Sequence, residues 1–204
     1  EHTDCILFFG QNVGSNSPRM LHQLREARQR DVPIITFNPI RERGLERFVN
    51  PQSPVEMLGP KSTVISTQYH QLAIGGDTAV VLGIAKSLFE MDEAALAQGQ
   101  PGIIDQAFIA QHTEGFAEFC NCVLETTWET IERQAGLSRS ALEAVATVYA
   151  RHERVMLVYG MGITQHRRGV TNVQMLVNLL LLRGNIGKRG AGICPVRGHS
   201  NVQG

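Results

Sequence analysis

Cys5-Ile6-Leu7-Phe8-Phe9, five apolar residues in a row closed by Gly10, is the stretch that decides the fold. An unbroken apolar run of this length, without polar alternation, reads as a strand buried on both faces of a parallel sheet. The residues that follow fit that reading. Gly10-Gln11-Asn12-Val13-Gly14-Ser15-Asn16-Ser17 is a polar, glycine-containing loop, and Ser17-Pro18 has the chemistry of a helix N-cap and first turn. Met20, Leu21, Leu24 and Ala27 then fall at helical spacing, which predicts an amphipathic helix over Pro18–Arg30. Pro33–Phe37 is expected to be the second strand, followed by Asn38-Pro39. These elements make one right-handed βαβ unit.

The same logic extends along the chain. Pro51, Pro54 and Pro60 mark residues 51–60 as a loop, and a weaker third strand is expected between Thr63 and Leu72. Gly75-Gly76-Asp77 introduces a helix over Thr78 to about Glu90. A helical excursion then occupies about 103–151, with helices over Asp105–His112, Gly115–Leu124, Thr127–Gln134 and Ser138–Arg151. Thr126 and Glu129 have capping-box spacing, and Gly136 is a helix stop. Val155–Tyr159 is the last strand, Val170–Leu182 an apolar helix enclosed by core, and the chain after Gly184 is irregular. Strand–helix alternation predicts an α/β, doubly wound, Rossmann-like mostly parallel sheet with helices on both faces and an irregular glycine-rich C-terminal tail. Strand order 3-2-1-4 would place Phe9 and Tyr159 on either side of the crevice where such sheets bind ligands. The 204 residues are read as a single α/β domain over 1–204, and the abrupt ends as those of a segment of something longer.

A formal net charge of zero hides an asymmetry. Gly160–Gly204 carries no acidic residue, while Arg167, Arg168, Arg183, Lys188, Arg189 and Arg197 are all within it. That composition predicts a segment that holds an anion close to its backbone. Cys5, Cys120, Cys122 and Cys194 form no CxxC pair, so no metal ligand is assigned in this chain. Free thiols and the absence of a signal-like or bilayer-length apolar stretch lead to the expectation of a cytoplasmic protein with neither membrane nor nucleic acid as partner. No Ser-His-Asp, HExxH, EF-hand or P-loop pattern occurs.

Three loops would leave strand ends toward the crevice. Around Gly10, Asn12 and Ser17, glycine backbone and a following helix N-terminus suit a phosphate, although a plain strand-to-helix turn uses the same residues. Asn38, Pro39 and Arg41 follow the second strand, where a polar side chain often meets a ribose or base; a simple Asn-Pro turn is the alternative. Gly160-Met161-Gly162-Ile163-Thr164-Gln165-His166 lets the chain pass under a flat ligand and offers directed hydrogen bonds. Gly76-Asp77 either caps a helix or pairs with a purine N–H edge. Arg197 is a solvated arginine or an anion ligand.

Taken together, Phe9-Gly10-Gln11-Asn12, Phe37-Asn38-Pro39, Gly75-Gly76-Asp77, Tyr159 through His166, and Gly184-Asn185-Ile186-Gly187 through Arg197-Gly198-His199-Ser200-Asn201-Val202-Gln203-Gly204 resemble the molybdopterin oxidoreductases. The resemblance is to the dimethyl-sulfoxide-reductase superfamily, in its formate-dehydrogenase-alpha-like branch, and covers essentially the whole chain. It implies the third domain of a large catalytic subunit, holding one of two molybdopterin guanine dinucleotides that chelate molybdenum or tungsten. By motif, Gly10, Asn12 and Ser17 would meet phosphates or the nucleotide. Asn38, Pro39 and Arg41 would line the guanosine, Gly76 and Asp77 would meet guanine, and Met161, Gly162 and Gln165 would pass beneath the pterin. Arg197 would face an anionic small-molecule substrate, with His199 as a candidate proton relay. Two positions depart from the family pattern: Asn38 stands where AspPro is frequent, and His199 where formate-type members read ArgGlyGln. The resemblance also implies a metal-ligating Cys, selenocysteine or Ser and a [4Fe–4S] cysteine cluster upstream of this chain. It implies partner domains of the same subunit and an electron-transfer partner as well. This chain alone is then expected to hold no cofactor and to be inactive. Two alternatives stay open from the residues alone: the central domain of a thiamine-diphosphate enzyme, and a generic nucleotide-binding or interaction module.

Overall fold

Cys5–Phe9 is buried at every residue because strands pair with it on both sides and helices cover both of its faces. The computed structural model describes residues 1–59, 62–196 and 198. In chain order these build β1 (Cys5–Phe9), α1 (Val13–Asn16), α2 (Met20–Gln29), β2 (Ile34–Phe37), α3 (Arg43–Glu46), β3 (Arg47–Phe48), α4 (Pro54–Leu58), β4 (Thr63–Val64) and β5 (Gln68–His70). There follow α5 (Asp77–Ala97), α6 (Gln106–His112), α7 (Phe116–Glu125), α8 (Trp128–Ala135), α9 (Arg139–Ala150), β6 (Val155–Tyr159), α10 (Met161–Thr164), α11 (Gly169–Leu181) and β7 (Gly192–Pro195). Five strands form one sheet in the order β5-β2-β1-β6-β7, and every pair in it is parallel.

The period-2 geometry of β1 divides its apolar residues between two cores. Cys5, Leu7 and Phe9 face a large cluster built with Val80, Val81, Ile84 and Leu88 of α5, Leu142, Val145 and Tyr149 of α9, and Leu176, Leu179 and Leu180 of α11. Ile6 and Phe8 face a smaller one with Leu21, Leu24 and Ala27 of α2. Helices therefore cover both faces, and the doubly wound α/β expectation holds. The expected 3-2-1-4 order is present as β5-β2-β1-β6.

The structure departs from the sequence reading in several places. The tail contains a fifth strand, β7, added in parallel beside β6 (Met156 opposite Gly192, Tyr159 opposite Pro195). Between Thr63 and Leu72 only β5 joins the sheet, while β4 pairs antiparallel with β3 in a separate two-stranded ribbon. Ser17 does not cap the helix after it. It ends α1, and α2 begins at Met20. The cap of α8 is Thr127, whose hydroxyl accepts from the Thr130 N–H at 3.3 Å, whereas Thr126 turns back to the Cys122 carbonyl at 2.7 Å. Pro54 opens a short helix, α4, capped by Ser53, inside the expected loop. α5 runs on past Glu90 to Ala97, with Met91 still packed against the core.

The tail is not one surface. Asn185 is fully buried at the amino end of β6, where its side-chain carbonyl accepts from the Val155 N–H at 3.1 Å and its amide donates to the Tyr149 hydroxyl at 3.2 Å. Arg183 donates to the carbonyls of Ile103 (2.8 Å) and His152 (3.3 Å). Gly190 packs against His2, ahead of β1. Residues 183–190 thus lie at the amino edge of the sheet, and β7 carries the chain back to the carboxyl edge.

Candidate functional site

All strands of a parallel sheet point the same way, so the loops leaving β1, β2, β5 and β6 must emerge at one edge. They also touch there. Gly10 has a φ of +54°, a conformation that suits glycine, and its N–H donates to the Phe37 carbonyl at 3.1 Å. Its own carbonyl accepts from the Gly162 N–H at 3.0 Å. A Cβ on Gly162 would lie 2.7 Å from that oxygen, so the first and last loops can approach this closely only without a side chain there. A Cβ on Gly75 would lie 2.9 Å from the His166 ring, which brings the third loop against the last one. Gly10–Ser17, Gly75–Asp77 and Gly160–His166 therefore rim one region.

The tail reaches the same region. The Val196 N–H donates to the Tyr159 carbonyl at 2.7 Å, and a Cβ on Gly198 would overlap Met161 Sδ. Arg197, expected to face a substrate, and His199, the candidate proton relay, lie outside the described residues.

The helical excursion braces the rim. The Ala73 N–H donates to the Ala135 carbonyl at the end of α8 at 2.8 Å. A Cβ on Gly76 would be 2.5 Å from the Gln134 carbonyl. α8 thereby fixes the turn that delivers Asp77.

Asp77 is the first residue of α5 and only 7 % exposed. Gly76 is the N-cap, and among the described residues no lysine or arginine pairs with the Asp77 side chain. Burial raises its carboxyl pKa above the usual carboxylate range; its own backbone N–H and the nearby His166 pull the other way but are outweighed. A buried carboxylate at the rim, short of donors, matches a ligand edge that offers N–H groups. Beside it, the Thr78 hydroxyl donates to Asn172 Oδ1 at 2.8 Å, and Asn172 Nδ2 is buried with no hydrogen-bond partner among the described residues.

The remaining candidates are placed as follows. Asn12 caps α1, accepting from the Ser15 N–H at 3.1 Å, and donates to Glu42 Oε2 at 2.7 Å. Asn38 is buried and closes its own turn, donating to the Ile40 carbonyl at 3.0 Å; Pro39 is exposed beside it. Arg41 turns to Glu46 at 2.6 Å and stacks over Tyr69 at 5.3 Å. Arg41 lines a cleft of about 520 Å³ together with Arg43, Glu46, Arg47, Val64, Ser66 and Tyr69. The expected last loop contains the short helix α10, in which Met161 is half-buried and Gly162 exposed, with Gln165 exposed as its C-cap.

Sequence reasoning missed Glu42 and Tyr69, which tie these loops together. The Glu42 N–H donates to the Tyr69 hydroxyl at 3.0 Å, and that hydroxyl donates to the Ile40 carbonyl at 2.8 Å. It also missed a row of rings across the strand ends: Phe9 stacks on Phe37 at 4.5 Å, and Phe37 on His70 at 5.2 Å. Register alone, with Phe9 opposite Phe37 and Phe37 opposite His70, would have exposed that row. Burial lowers the His70 pKa, which favours its neutral ring. Among the described residues, no helix is long and apolar enough to cross a membrane.

Comparison with known proteins bears on this arrangement. Protein YdeP of Escherichia coli (strain K12) is 51% identical over 204 residues, covering 100% of this chain and 27% of that protein. Formate dehydrogenase H of the same strain is 30% identical over 204 residues, covering 100% of this chain and 25% of that protein. Acetylene hydratase from Pelobacter acetylenicus shares the fold, with a TM-score of 0.73 at 16% identity over 92% of this chain and 22% of that one. The chain thus spans about a quarter of the length of these relatives. The thiamine-diphosphate alternative is not favoured, because the matching family model, described as molybdopterin oxidoreductase, extends over residues 1–203. The chain belongs to the molybdopterin oxidoreductase family.

Proposed function

We propose that the rim formed by Gly10–Ser17, Gly75–Asp77 and Gly160–His166 seats a molybdopterin guanine dinucleotide. The observation that carries this reading is the buried Asp77 carboxylate with its raised pKa. Guanine presents an N1–H and an exocyclic amine side by side, and a carboxylate accepts both. Adenine presents no such pair. Gly10 and Gly162, with backbones in contact, leave the last loop free of side-chain bulk beneath a flat pterin. Arg167 and Arg168 put positive charge on that loop, which favours the phosphates there. Asn38 and Pro39 lie at the guanosine side of this seat, and Met161 and Gln165 at the pterin side.

In the whole protein, the bound group supplies two-electron redox chemistry when it carries molybdenum or tungsten. This chain's residues bind and orient it. Arg197 would hold substrate charge, and His199 would move a proton. Likeness to formate dehydrogenase H supports a formate-dehydrogenase-alpha-like oxidoreductase acting on a small molecule, with electrons leaving through a [4Fe–4S] cluster. The reading places the metal ligand and the cluster in other parts of that protein, so this chain alone is inactive.

Calorimetry tests the reading. Full-length apo-protein, made in a host unable to synthesise molybdopterin, is expected to bind GDP in the micromolar range and ADP at least tenfold more weakly. Equal binding, or a preference for ADP, would overturn it.

A further inference from the structure

Asn38 stands where many dinucleotide-binding sheets place an acid after the second strand, and that acid accepts from ribose hydroxyls. Here the position is neutral, and its amide donor is committed to the Ile40 carbonyl within the turn. The carboxylate of Glu42, four residues further on, returns to the same edge. Glu42 Oε2 lies 2.7 Å from Asn12 Nδ2, in the loop after β1. The orientation of the Asn12 amide is fixed, because its Oδ1 must accept from the Ser15 N–H. Glu42 Oε1 has no hydrogen-bond partner among the described residues.

The placement of this carboxylate is built into the backbone. Glu42 N–H is held by the Tyr69 hydroxyl, and the Glu42 carbonyl accepts from the N–H groups of Leu45 and Glu46 at 2.9 and 3.2 Å. Gly44 meets Gly14 so closely that a Cβ on Gly44 would be 2.8 Å from the Gly14 Cα. The loop after β1 and the turn after β2 are thus joined by one side-chain hydrogen bond and one glycine–glycine contact.

Resting on the guanine-dinucleotide reading above, we infer that Glu42 is the ribose-binding residue of this chain, accepting hydroxyl hydrogen bonds through Oε1. Its charge also orders the rest of the ligand. A carboxylate beside Asn12 repels phosphate, so the sugar lies against the loop after β1. The phosphates lie toward the last loop, which carries Arg167 and Arg168 and no acid. A hydroxyl is the ligand group that suits this pair, since Asn12 and Glu42 together offer a free acceptor and no free cation.

The test compares GDP with 2′,3′-dideoxy-GDP on full-length apo-protein. Wild type is expected to bind GDP about tenfold tighter than the dideoxy analogue, the worth of a hydrogen bond to a charged acceptor. Glu42→Gln keeps an oxygen for Asn12 but loses the charge. It is expected to weaken GDP until the ratio is about twofold or less, without weakening the dideoxy analogue. A ratio that stays near tenfold in Glu42→Gln overturns the assignment while leaving the guanine reading intact. An equal loss for both nucleotides also overturns it, because Glu42 would then act only through the fold. Wild type that binds GDP and the analogue equally removes any ribose acceptor. Wild type that binds neither removes the guanine reading, and this inference with it.

Discussion

The Gly162 N–H donates to the Gly10 carbonyl at 3.0 Å, which ties the loop after the last long strand to the loop after the first. The contact depends on both residues lacking a side chain. A methyl on Gly162 would meet a backbone oxygen that belongs to a strand end and cannot move away. Gly162→Ala is expected to cost about 1–3 kcal/mol, the usual penalty of overpacking. It should also lower cofactor content per folded molecule, because the two loops would have to separate. Thermal unfolding and molybdenum content measure the two effects, and a variant unchanged in both would contradict the interlock.

Asp77 gives a pH-dependent prediction with a definite sign. Its carboxyl pKa is raised in the fold, so between the unfolded value, about 3.9, and the folded one the native state holds a proton that the unfolded chain has released. Stability contributed by this group therefore falls as pH rises through that window, and the full cost of the buried charge is present at neutral pH. Asp77→Asn removes that cost. In the apo chain it is expected to stabilise the fold at pH 7 by on the order of 1 kcal/mol, or about 2–4 °C in Tm, and to have little effect below pH 4. The same substitution should abolish guanine preference. A residue whose removal stabilises the fold and weakens ligand binding is one retained for the ligand.

The opposite edge of the sheet predicts the reverse pattern. The Tyr149 hydroxyl, fully buried, donates to the Leu179 carbonyl at 2.9 Å and accepts from the Asn185 amide. Tyr149→Phe leaves both partners unsatisfied and is expected to destabilise by about 1–3 kcal/mol. Because this network lies at the amino end of β6, cofactor content per folded molecule should not change. Denaturant unfolding alongside metal analysis distinguishes it from the Gly162 and Asp77 variants.

His199 carries a prediction from its motif alone. If it relays a proton, His199→Gln in the full-length protein should remove a limb of the pH–rate profile near neutrality. Superimposable profiles for the variant and wild type would contradict the relay.

The parts of this site that were legible in the sequence follow from local rules. Cys5–Phe9 and Val155–Tyr159 are apolar without interruption because parallel strands are covered on both faces, and once they are read as parallel their loops must converge. β7 was hidden because Gly192 and Pro195 bound a half-buried edge strand, where both residues are tolerated. Charge counted along the chain misled for a related reason. Arg183 belongs to the acid-free tail, yet its guanidinium is spent on the carbonyls of Ile103 and His152 at the far edge. Glu42 could not be found from pattern, since its partner Asn12 is 30 residues away and meets it only after β1 and β2 have paired.

One measurement bears most directly on the seat around Asp77. Mild acid hydrolysis of the purified full-length protein releases the nucleotide attached to its pterin, and chromatography identifies and counts it. The proposed guanine-dinucleotide seat predicts GMP in proportion to molybdenum or tungsten in wild type, and a marked loss of both in Asp77→Asn. Metal-replete protein that releases no GMP, or GMP content untouched by Asp77→Asn, would contradict it.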